Sequence, residues 1–556
     1  MNRKIWKALG IAVCMLALAA PRAMAERYEV GKDDPFIKFG DAVDKINKSG
    51  DTKNEIVLMQ DITLGGDSTE YTLYTLSRGE TTIKGGGNKI TISNAGITVA
   101  KKGTVLNLGA NGYDGTLTID GKTSGGFVSV LEGATANMYE NVTLQNWTSA
   151  GNACVVIKGS KSVTGSKPVF NMHGGVIEKC SRAVMADSGA TFNMSGGEIR
   201  NCVSMNDGVG LYADNSTINI TGGTISGCDG RWGGGLYAEN SSTITITDST
   251  ISGCKAGAGG GLCVVGSTLN IKDDIISECI ASDTGKGGGL YAENSTLTIS
   301  GGTIKGNKAA YGGGVALKDS KVKKEDPITN WTVVDNEAYK TDTGSGYIGG
   351  GIYLESGSMD VSNGSNKIYN NTADGHGADI CLTDDTSSIK LPNAANMGAK
   401  YHDSGINIDN WYNDNPRYTP SENGQVVEAN KLLNGGLSLV ASYKADPVRI
   451  EIDANGGKGG SGSQTVQKGT TVTLEAPTKE GHLFKGWKDE KGNSYPAGED
   501  GKVKITVTGD MTLTAEWKKL PSAENLPKTG DESPVLLWGA ALAVSAAACF
   551  MLRRRK

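Results

Sequence analysis

The chain has 556 residues, of which 80 are glycine and 13 are proline, and it carries a formal net charge of −5. This much glycine without a Gly-X-Y period excludes collagen, and the regular alternation of isoleucine, leucine and valine with polar residues argues against disorder. Nucleic-acid binding depends on lysine and arginine displacing counterions, so an acidic chain is expected to have no nucleic-acid partner.

The N-terminus has the pattern of an export signal. A basic start at residues 3–7 precedes an apolar run at residues 8–20, and residues 23–25 (Ala-Met-Ala) supply the small residues of a cleavage site. Cleavage is expected between Ala25 and Glu26, which would make the mature protein a secreted one. A retained membrane helix is the alternative, although the apolar run is short for crossing a bilayer.

A short amphipathic helix is predicted over residues 35–49. Phe36, Phe39, Val43 and Ile46 recur there at spacings of three and four residues. We expect this helix to cover the first coil of the following domain, whose open end would otherwise expose unpaired strand edges.

The central part of the chain repeats a glycine-rich phrase of three glycines followed by two other residues. Its copies are Gly233–Tyr237, Gly259–Cys263, Gly287–Tyr291, Gly312–Ala316 and Gly349–Tyr353. A second phrase, Thr217-Ile218-Asn219-Ile220, alternates apolar and polar residues and also recurs, and a third strand-like segment follows each copy. A fixed period indicates stacked repeats, and a repeat of about 26 residues buries its apolar face only against its neighbours, so the sequence predicts a parallel β-helix.

The opening of this region has the phrase Ile-x-Gly-Gly-Gly-Asn-Lys-Ile-Thr-Ile at residues 83–92, after the predicted helix and a strand. In this it resembles the pectate-lyase-like right-handed β-helices of bacterial surface proteins. The resemblance covers most of residues 36–400. It implies an all-β fold, a right-handed parallel β-helix, and is specific for the fold rather than for an activity.

Alignment of the repeats places one small residue at the same turn in eight successive coils. These ladder residues are Cys180, Cys202, Cys228, Cys254, Cys279, Asn307, Asn336 and Asn371. Stacked asparagines can bond to one another and to turn backbone, and the cysteines would act as small apolar fillers. Disulfides between coils are sterically possible, but parallel side chains do not easily reach the required dihedral, so we expect free thiols. Ligands strung along a line do not converge, so no metal site is expected.

A polysaccharide-cleaving enzyme is the alternative function. Residues 371–377 (Asn-Thr-Ala-Asp-Gly-His-Gly), followed by Asp384 and Asp385, look like pieces of the polygalacturonase signature. In that family the pieces come from separate coils and converge on a groove, whereas here they crowd into one coil, and the Arg-Ile-Lys piece is missing. We therefore predict no catalytic residue, no cofactor and no metal, and keep a lyase or hydrolase as the alternative.

Two further columns follow from the same alignment. The acidic one, expected to be a solvated turn with a weak calcium or glycan site as the alternative, contains Asp214, Glu239, Glu293 and Glu355. The aromatic one is interrupted by Cys263 and Ala316 and contains Tyr212, Tyr237, Tyr291 and Tyr353. We expect the tyrosines to form a packed ladder rather than a platform that stacks on carbohydrate.

A different unit begins at residue 447. Val448–Asp453 alternates as a strand, and residues 481–487 (Gly-His-Leu-Phe-Lys-Gly-Trp) and 513–517 (Leu-Thr-Ala-Glu-Trp) follow. These phrases resemble the internalin-type B repeat. The resemblance implies a small β-grasp-like module with Phe484, Trp487 and Trp517 in its core, and an association with surface spacing and adhesion.

The C-terminus carries three elements in a fixed order. A pentapeptide comes first, then an apolar run at 535–552 that is long enough to span a membrane, then a basic tail at 553–556 that would stay cytoplasmic. The pentapeptide consists of Leu526, Pro527, Lys528, Thr529 and Gly530. This order resembles the LPxTG cell-wall sorting signal of Gram-positive bacteria, and the resemblance implies that a sortase links the Thr529 carbonyl to a peptidoglycan amine.

The sequence therefore predicts a secreted, sortase-anchored cell-wall protein, an adhesin or interaction protein with an unknown glycan or protein ligand. The predicted segments are a signal peptide (1–25), an N-terminal cap with the first strands (26–80), the β-helix (81–400), a C-terminal cap or connector (401–446), the B repeat (447–518), a spacer (519–525), the sorting motif (526–530) and the transmembrane segment with its basic tail (531–556).

Overall fold

The computed structural model of the protein describes residues 25–520, apart from 34, 67–70, 123–127, 150–152, 161–166, 323–327, 340–346, 384–385, 403, 415–425, 428–431, 435, 443–446, 468–470 and 499. Contacts divide the chain into two compact units, which separate between residues 444 and 445.

The predicted N-terminal helix is confirmed and spans Phe39–Lys48. Its buried residues, Phe39, Ala42, Val43 and Ile46, follow the three- and four-residue spacing that predicted it. The helix packs against the strands Glu26–Val30 and Thr72–Leu76, and the Phe39 ring meets the Tyr74 ring edge-on at 5.5 Å. It therefore adds its apolar face to the core of the first coils.

The first unit is a solenoid of three long sheets, which confirms the all-β parallel β-helix. Each coil contributes one strand to each sheet, and equivalent residues of successive coils lie in register. Ile218, for example, pairs with Phe192 in the preceding coil and with Ile244 in the next. Because strands alternate their side chains between faces, in-register stacking places every isoleucine of this column inside the solenoid.

Sheet 1 consists of Glu26–Val30, Lys53–Leu58, Glu80–Lys84, Val105–Leu108, Thr135–Met138, Val169–Met172, Thr191–Met194, Thr217–Ile220, Thr243–Thr247, Thr268–Lys272, Thr296–Ser300, Ser320–Val322, Gly357–Asp360, Ser387–Lys390 and Leu432–Asn434. Sheet 2 consists of Thr72–Leu76, Ala95–Val99, Val128–Leu131, Val155–Lys158, Val184–Asp187, Leu211–Asp214, Leu236–Glu239, Leu262–Val265, Leu290–Glu293, Val315–Lys318, Ile352–Leu354, Ile380–Leu382, Ser438–Ser442, Asn410–Asn413 and Val426–Val427.

Sheet 3 consists of Ile62–Gly65, Lys89–Ser93, Leu117–Asp120, Val142–Gln145, Val176–Glu178, Glu198–Arg200, Thr224–Ser226, Thr250–Ser252, Ile275–Ser277, Thr303–Lys305, Thr332–Val334 and Lys367–Tyr369. A fourth, short sheet, which the sequence did not predict, consists of Lys255–Ala256, Ile280–Ala281, Lys308–Ala309, Glu337–Ala338 and Thr372–Ala373.

Two glycines of the repeated phrase are required for different structural reasons. Gly233 has a φ of +57°, and a Cβ at this position would lie 2.3 Å from the Leu236 carbonyl oxygen, so the first glycine is needed for its left-handed backbone. Gly235 lies against the next coil, where a Cβ would come within 2.6 Å of the Gly261 carbonyl oxygen. The third glycine therefore sets how closely two coils approach.

The parallel series ends in antiparallel strands. Ser438–Ser442 pairs antiparallel with Ile380–Leu382, and Leu432–Asn434 pairs antiparallel with Ser387–Lys390. The short 3₁₀ helix Ala394–Met397 precedes them, and the buried Trp411 donates its indole N–H to the Pro392 carbonyl oxygen. These contacts satisfy strand edges that would be open if the parallel coils stopped without a cover.

The second unit is built from strands in its described residues. One sheet contains Gln464–Gln467, Pro447–Asp453, Met511–Lys519, His482–Asp489 and Ser494–Pro496, and a two-stranded sheet contains Thr471–Leu474 and Val503–Thr506. Trp487 is fully buried, and the Phe484 ring lies 5.3 Å from the Trp487 ring and 5.6 Å from the Trp517 ring. The predicted aromatic core is thus present, with Phe484 and Trp517 at its partly exposed edge.

Candidate binding face

The outward side of sheet 1 carries a regular polar surface, here called the Thr/Asn face. It consists of Asn107, Thr135, Asn137, Asn171, Thr191, Asn193, Thr217, Asn219, Thr243, Thr245, Thr268, Asn270 and Thr296. Its inward neighbours in the strands, such as Ile218 and Ile220, are buried in the core, so alternation forces these polar residues outward.

The asparagines of the Thr/Asn face form a continuous hydrogen-bonded ladder. Each side-chain N–H donates to the side-chain oxygen of the preceding coil, from Asn137 to Asn107 at 2.7 Å, and from Asn171, Asn193 and Asn219 to their predecessors at 2.8 Å. A primary amide has two N–H groups and two oxygen lone pairs. Asn137, Asn171 and Asn193, the inner asparagines of this ladder, each use one N–H group and one oxygen lone pair within it. Each of them therefore keeps one donor and one acceptor for a partner outside the ladder.

Sequence reasoning missed this ladder, although its signal was present. Asn219 stands third in the repeated phrase Thr217-Ile218-Asn219-Ile220, and the same position holds Asn171, Asn193 and Asn270 in other coils. The alternation places Asn219 on the outer side of its strand, but alternation alone does not distinguish an ordered ladder from separately solvated side chains.

The tyrosine column of sheet 2 is a packed ladder, as predicted. Tyr237, Tyr291 and Tyr353 are 5–7% exposed, and their cluster includes Cys263 and Ala316, the residues that interrupt the column. Tyr311 packs beside Tyr353 with ring centroids 5.3 Å apart. Tyr237, Tyr291 and Tyr353 therefore offer little ring surface for stacking on a sugar, whereas Tyr212, the first of the column, is only partly buried.

Glu239 and Glu293 are partly exposed, as expected for the acidic column, but they also have hydrogen-bond partners that the sequence did not predict. Tyr212 donates its hydroxyl to Glu239 at 2.6 Å, and Tyr291 donates to Glu293 at 2.8 Å. Lys318 also forms a 2.9 Å ion pair with Glu293 and, as the largest cause, lowers the pKa of that carboxyl. These carboxylates satisfy tyrosine hydroxyls that the packed ladder half-buries, a role that spacing alone could not distinguish from exposure to solvent.

Glu355 and Asp214 are also paired rather than free in solvent. Lys286 forms a 2.5 Å ion pair with Glu355, and Asn240 donates its side-chain amide to Asp214 at 2.9 Å. Every member of the predicted acidic column thus has a partner from its own solenoid.

The ladder of the turns lies inside the solenoid. Its residues Cys180, Cys202, Cys228, Cys254, Cys279, Asn307, Asn336 and Asn371 are all buried, and the cysteines are free thiols. The Cys180 thiol donates to the Glu178 carbonyl oxygen at 3.2 Å, and Cys202, Cys228, Cys254 and Cys279 repeat this contact within their own coils. Asn307 and Asn336 each direct their backbone and side-chain N–H groups at the next ladder oxygen.

A buried carboxylate ends this inner ladder, and the sequence analysis did not identify it. Asp379 accepts the backbone and side-chain N–H groups of Asn371 at 3.0 and 2.8 Å, and its second oxygen accepts the Ala441 backbone N–H at 2.7 Å. Burial raises the pKa of Asp379 to about 7 although these three donors oppose the rise. Its signal in the sequence was the loss of the third glycine of the phrase, because Asp379 precedes Ile380 as Gly351 precedes the paired Ile352. The repeat pattern does not give its partner, because Ala441 belongs to a strand outside the repeats.

The polygalacturonase-like residues that the structure describes do not form a catalytic cluster. Asn371 is a buried ladder residue, and His376 contacts the Ser438 hydroxyl through Nδ1 at 2.5 Å. Asp384 and Asp385 lie outside the described residues. In the part of the chain that the structure describes, no group of three or more His, Cys, Asp or Glu side chains is arranged to hold a metal ion.

The predicted processing sites lie at or beyond the ends of the described chain. Ala25 directly precedes the first strand, Glu26–Val30. The sorting motif at 526–530, with Thr529, and the predicted span at 535–552 lie outside the described residues. Within residues 25–520, as far as they are described, no helix is long and apolar enough to cross a membrane.

Comparison with protein families supports both architectural assignments. Residues 209–396 match the family model of the right-handed β-helix region, and residues 450–516 match that of the Listeria-Bacteroides repeat domain. The chain carries both modules. No curated protein and no solved structure matches it. The β-helix and the repeat therefore fit a surface protein, and they name neither a ligand nor a reaction.

Proposed function

We propose that this protein is exported, linked covalently to peptidoglycan through Thr529, and displays its β-helix as a binding surface. The anchoring part is supported by the order of the pentapeptide at 526–530, the apolar run at 535–552 and the basic tail. An apolar segment that halts export in the membrane holds such a pentapeptide just outside the membrane, where a sortase acts. The Listeria-Bacteroides repeat fits the same setting.

The observation that carries the binding part is the Thr/Asn face. It offers a periodic row of amide donors and acceptors over several coils, in contrast to the convergent acids and bases that glycan cleavage requires. The carboxylates that sequence analysis considered for calcium or glycan binding are engaged by tyrosines and lysines of the solenoid itself. Adhesion is therefore favoured over a lyase or hydrolase activity.

Substitution within the sorting motif tests the anchoring. Leu526→Ala is expected to move the protein from the wall fraction to the membrane and medium, because it removes a side chain that the resemblance assigns to sortase recognition. Lys528→Ala is the matched control, since the resemblance leaves this position variable. Both variants are to be expressed in a Gram-positive host and quantified in muramidase-solubilised wall, membrane and medium. Equal wall fractions for the two variants would contradict the anchoring.

A further inference from the structure

We infer that the Thr/Asn face binds the same face of a second copy of this chain. The inference rests on the binding role proposed above and names its partner. Each inner asparagine of the face keeps one amide donor and one acceptor after bonding within its own ladder. A second Thr/Asn face presents the same two groups, so two faces satisfy each other without any further residue type.

The spacing of the face selects the same partner. Its rows follow the parallel strands in register, so equivalent side chains recur at about 4.8 Å along the solenoid. A rigid partner forms the same contact at every coil only if its own repeat has this period. A second copy of this chain has the same repeat distance, because it has the same strands. Its contacts can therefore recur at every coil from Asn107 to Thr296.

Charge favours approach through this face. The chain is acidic overall, with a formal net charge of −5, so two copies repel each other at long range. The outward side of sheet 3 carries Glu178, Glu198 and Arg200, which form ion pairs with one another at 2.7 and 2.8 Å. The Thr/Asn face itself is made of uncharged side chains, and the exposed Lys272 lies at its margin, two residues beyond Asn270 on the same side of the strand. Two copies that meet through the face therefore bury few charges.

The size of the face indicates weak and reversible association. A strip about four residues wide and eight coils long covers roughly 500 Å² on each copy, or about 1,000 Å² in total. This total lies at the lower limit of specific interfaces. Many copies displayed on one surface would strengthen such a contact through multivalency without any new interaction.

Introducing charged side chains into the Thr/Asn face tests the inference in solution. Thr191 and Thr243 lie two coils apart in one outward row, on either side of Thr217. The Thr191→Lys/Thr243→Lys variant is expected to weaken self-association at least tenfold, and so is Thr191→Glu/Thr243→Glu. An equimolar mixture of the two is expected to recover association, because lysines then face glutamates. Sedimentation equilibrium of the full-length chain in a mild detergent gives the dissociation constants.

The matched control places the same charges on sheet 3. Thr250 and Thr303 also lie two coils apart in one outward row, on either side of Ile275. Thr250→Lys/Thr303→Lys is expected to associate as the unmodified chain does, and thermal unfolding monitors the fold of all variants. Because association is measured on purified protein, failure of the wall anchoring does not affect the result.

Three outcomes would overturn the inference. The first is an unmodified chain that stays monomeric at several hundred micromolar. The second is equal self-association of the sheet 1 variant Thr191→Lys/Thr243→Lys and the sheet 3 variant Thr250→Lys/Thr303→Lys. The third is retardation of the unmodified chain in gels containing a neutral polysaccharide, lost in Thr191→Lys/Thr243→Lys, together with absence of self-association. That result would assign the face to a glycan instead.

Discussion

Asp379 ends the buried ladder of the turns because the hydrogen bonds required of the side chain differ at this position. Within the ladder, each asparagine accepts hydrogen bonds with its oxygen and donates with its nitrogen to backbone carbonyls, as Asn336 does to Ile304. At the last position both side-chain atoms must accept, since Asn371 donates to one and the Ala441 N–H to the other. A carboxylate meets this requirement, and it ties the last coil to the antiparallel strand Ser438–Ser442.

Removing this carboxylate is expected to destabilise the solenoid. In Asp379→Ala the backbone N–H groups of Asn371 and Ala441 lose their acceptor while buried, which costs about 2–4 kcal/mol in the free energy of unfolding. The control is Asp229→Ala, because the Asp229 side chain is exposed. Urea unfolding of both variants measures the difference. Equal stabilities would show that Asp379 does not hold the last coil.

The same residue predicts a pH dependence. Burial raises the pKa of Asp379 to about 7, and the nearby Asp414 adds to the rise, whereas an unfolded aspartate has a pKa near about 3.9. The folded protein therefore binds the proton more tightly, so this contribution to stability is present at acid pH and is lost as pH rises through about 7.

The melting temperature of the unmodified protein is accordingly expected to rise between pH 8 and pH 5. Burial also raises the pKa of Asp274 to about 7, which acts in the same direction, so Asp379→Ala should retain part of the rise. Calorimetry at several pH values measures both proteins. If the rise is identical in the two, Asp379 does not titrate as its burial requires.

At the scale of the repeating element, the glycine phrase fixes the distance between coils. The nearest atom to a Cβ at Gly235 would be a backbone oxygen of the next coil, which cannot move without displacing the whole stack. Gly364 is a natural comparison, because a Cβ there meets nothing within 4 Å and its backbone is not left-handed.

We therefore expect Gly235→Ala to lower stability by about 1–3 kcal/mol through overpacking, and Gly364→Ala to change it by less than about 0.5 kcal/mol. Chemical denaturation of the two variants provides the comparison. A stability loss of the same size at Gly364 would mean that general loss of glycine, rather than close approach of the coils, explains the effect.

The repeating elements were predictable because two signals coincide in the sequence. The alternation in Thr217–Ile220 gives the strands, and the recurrence of the glycine phrase gives their stacking, so the three sheets and the buried side of each strand followed. The antiparallel end strands and Asp379 did not follow, because their partners are set by tertiary contacts outside the repeat. The hydrogen bond that Glu239 accepts from Tyr212 did not follow for the same reason.

At the scale of the whole molecule, the two units differ in how they are stabilised. The solenoid adds the same core contacts at each coil, whereas the unit beginning near residue 445 has a single small aromatic core around Trp487. Repeats of the first kind spread stability along the chain and present one long lateral face. The candidate binding face arises from this architecture, because a polar residue repeated in every coil becomes a continuous row.

Covalent anchoring of the whole molecule to the wall can be measured by mass spectrometry of the wall-linked C-terminus. The protein is to be released from purified walls with a muramidase, digested, and searched for its last peptide. We expect a peptide that ends at Thr529 and carries a peptidoglycan fragment on the threonine carbonyl. Recovery of peptides that extend past Gly530 to Lys556, with no form ending at Thr529, would contradict it.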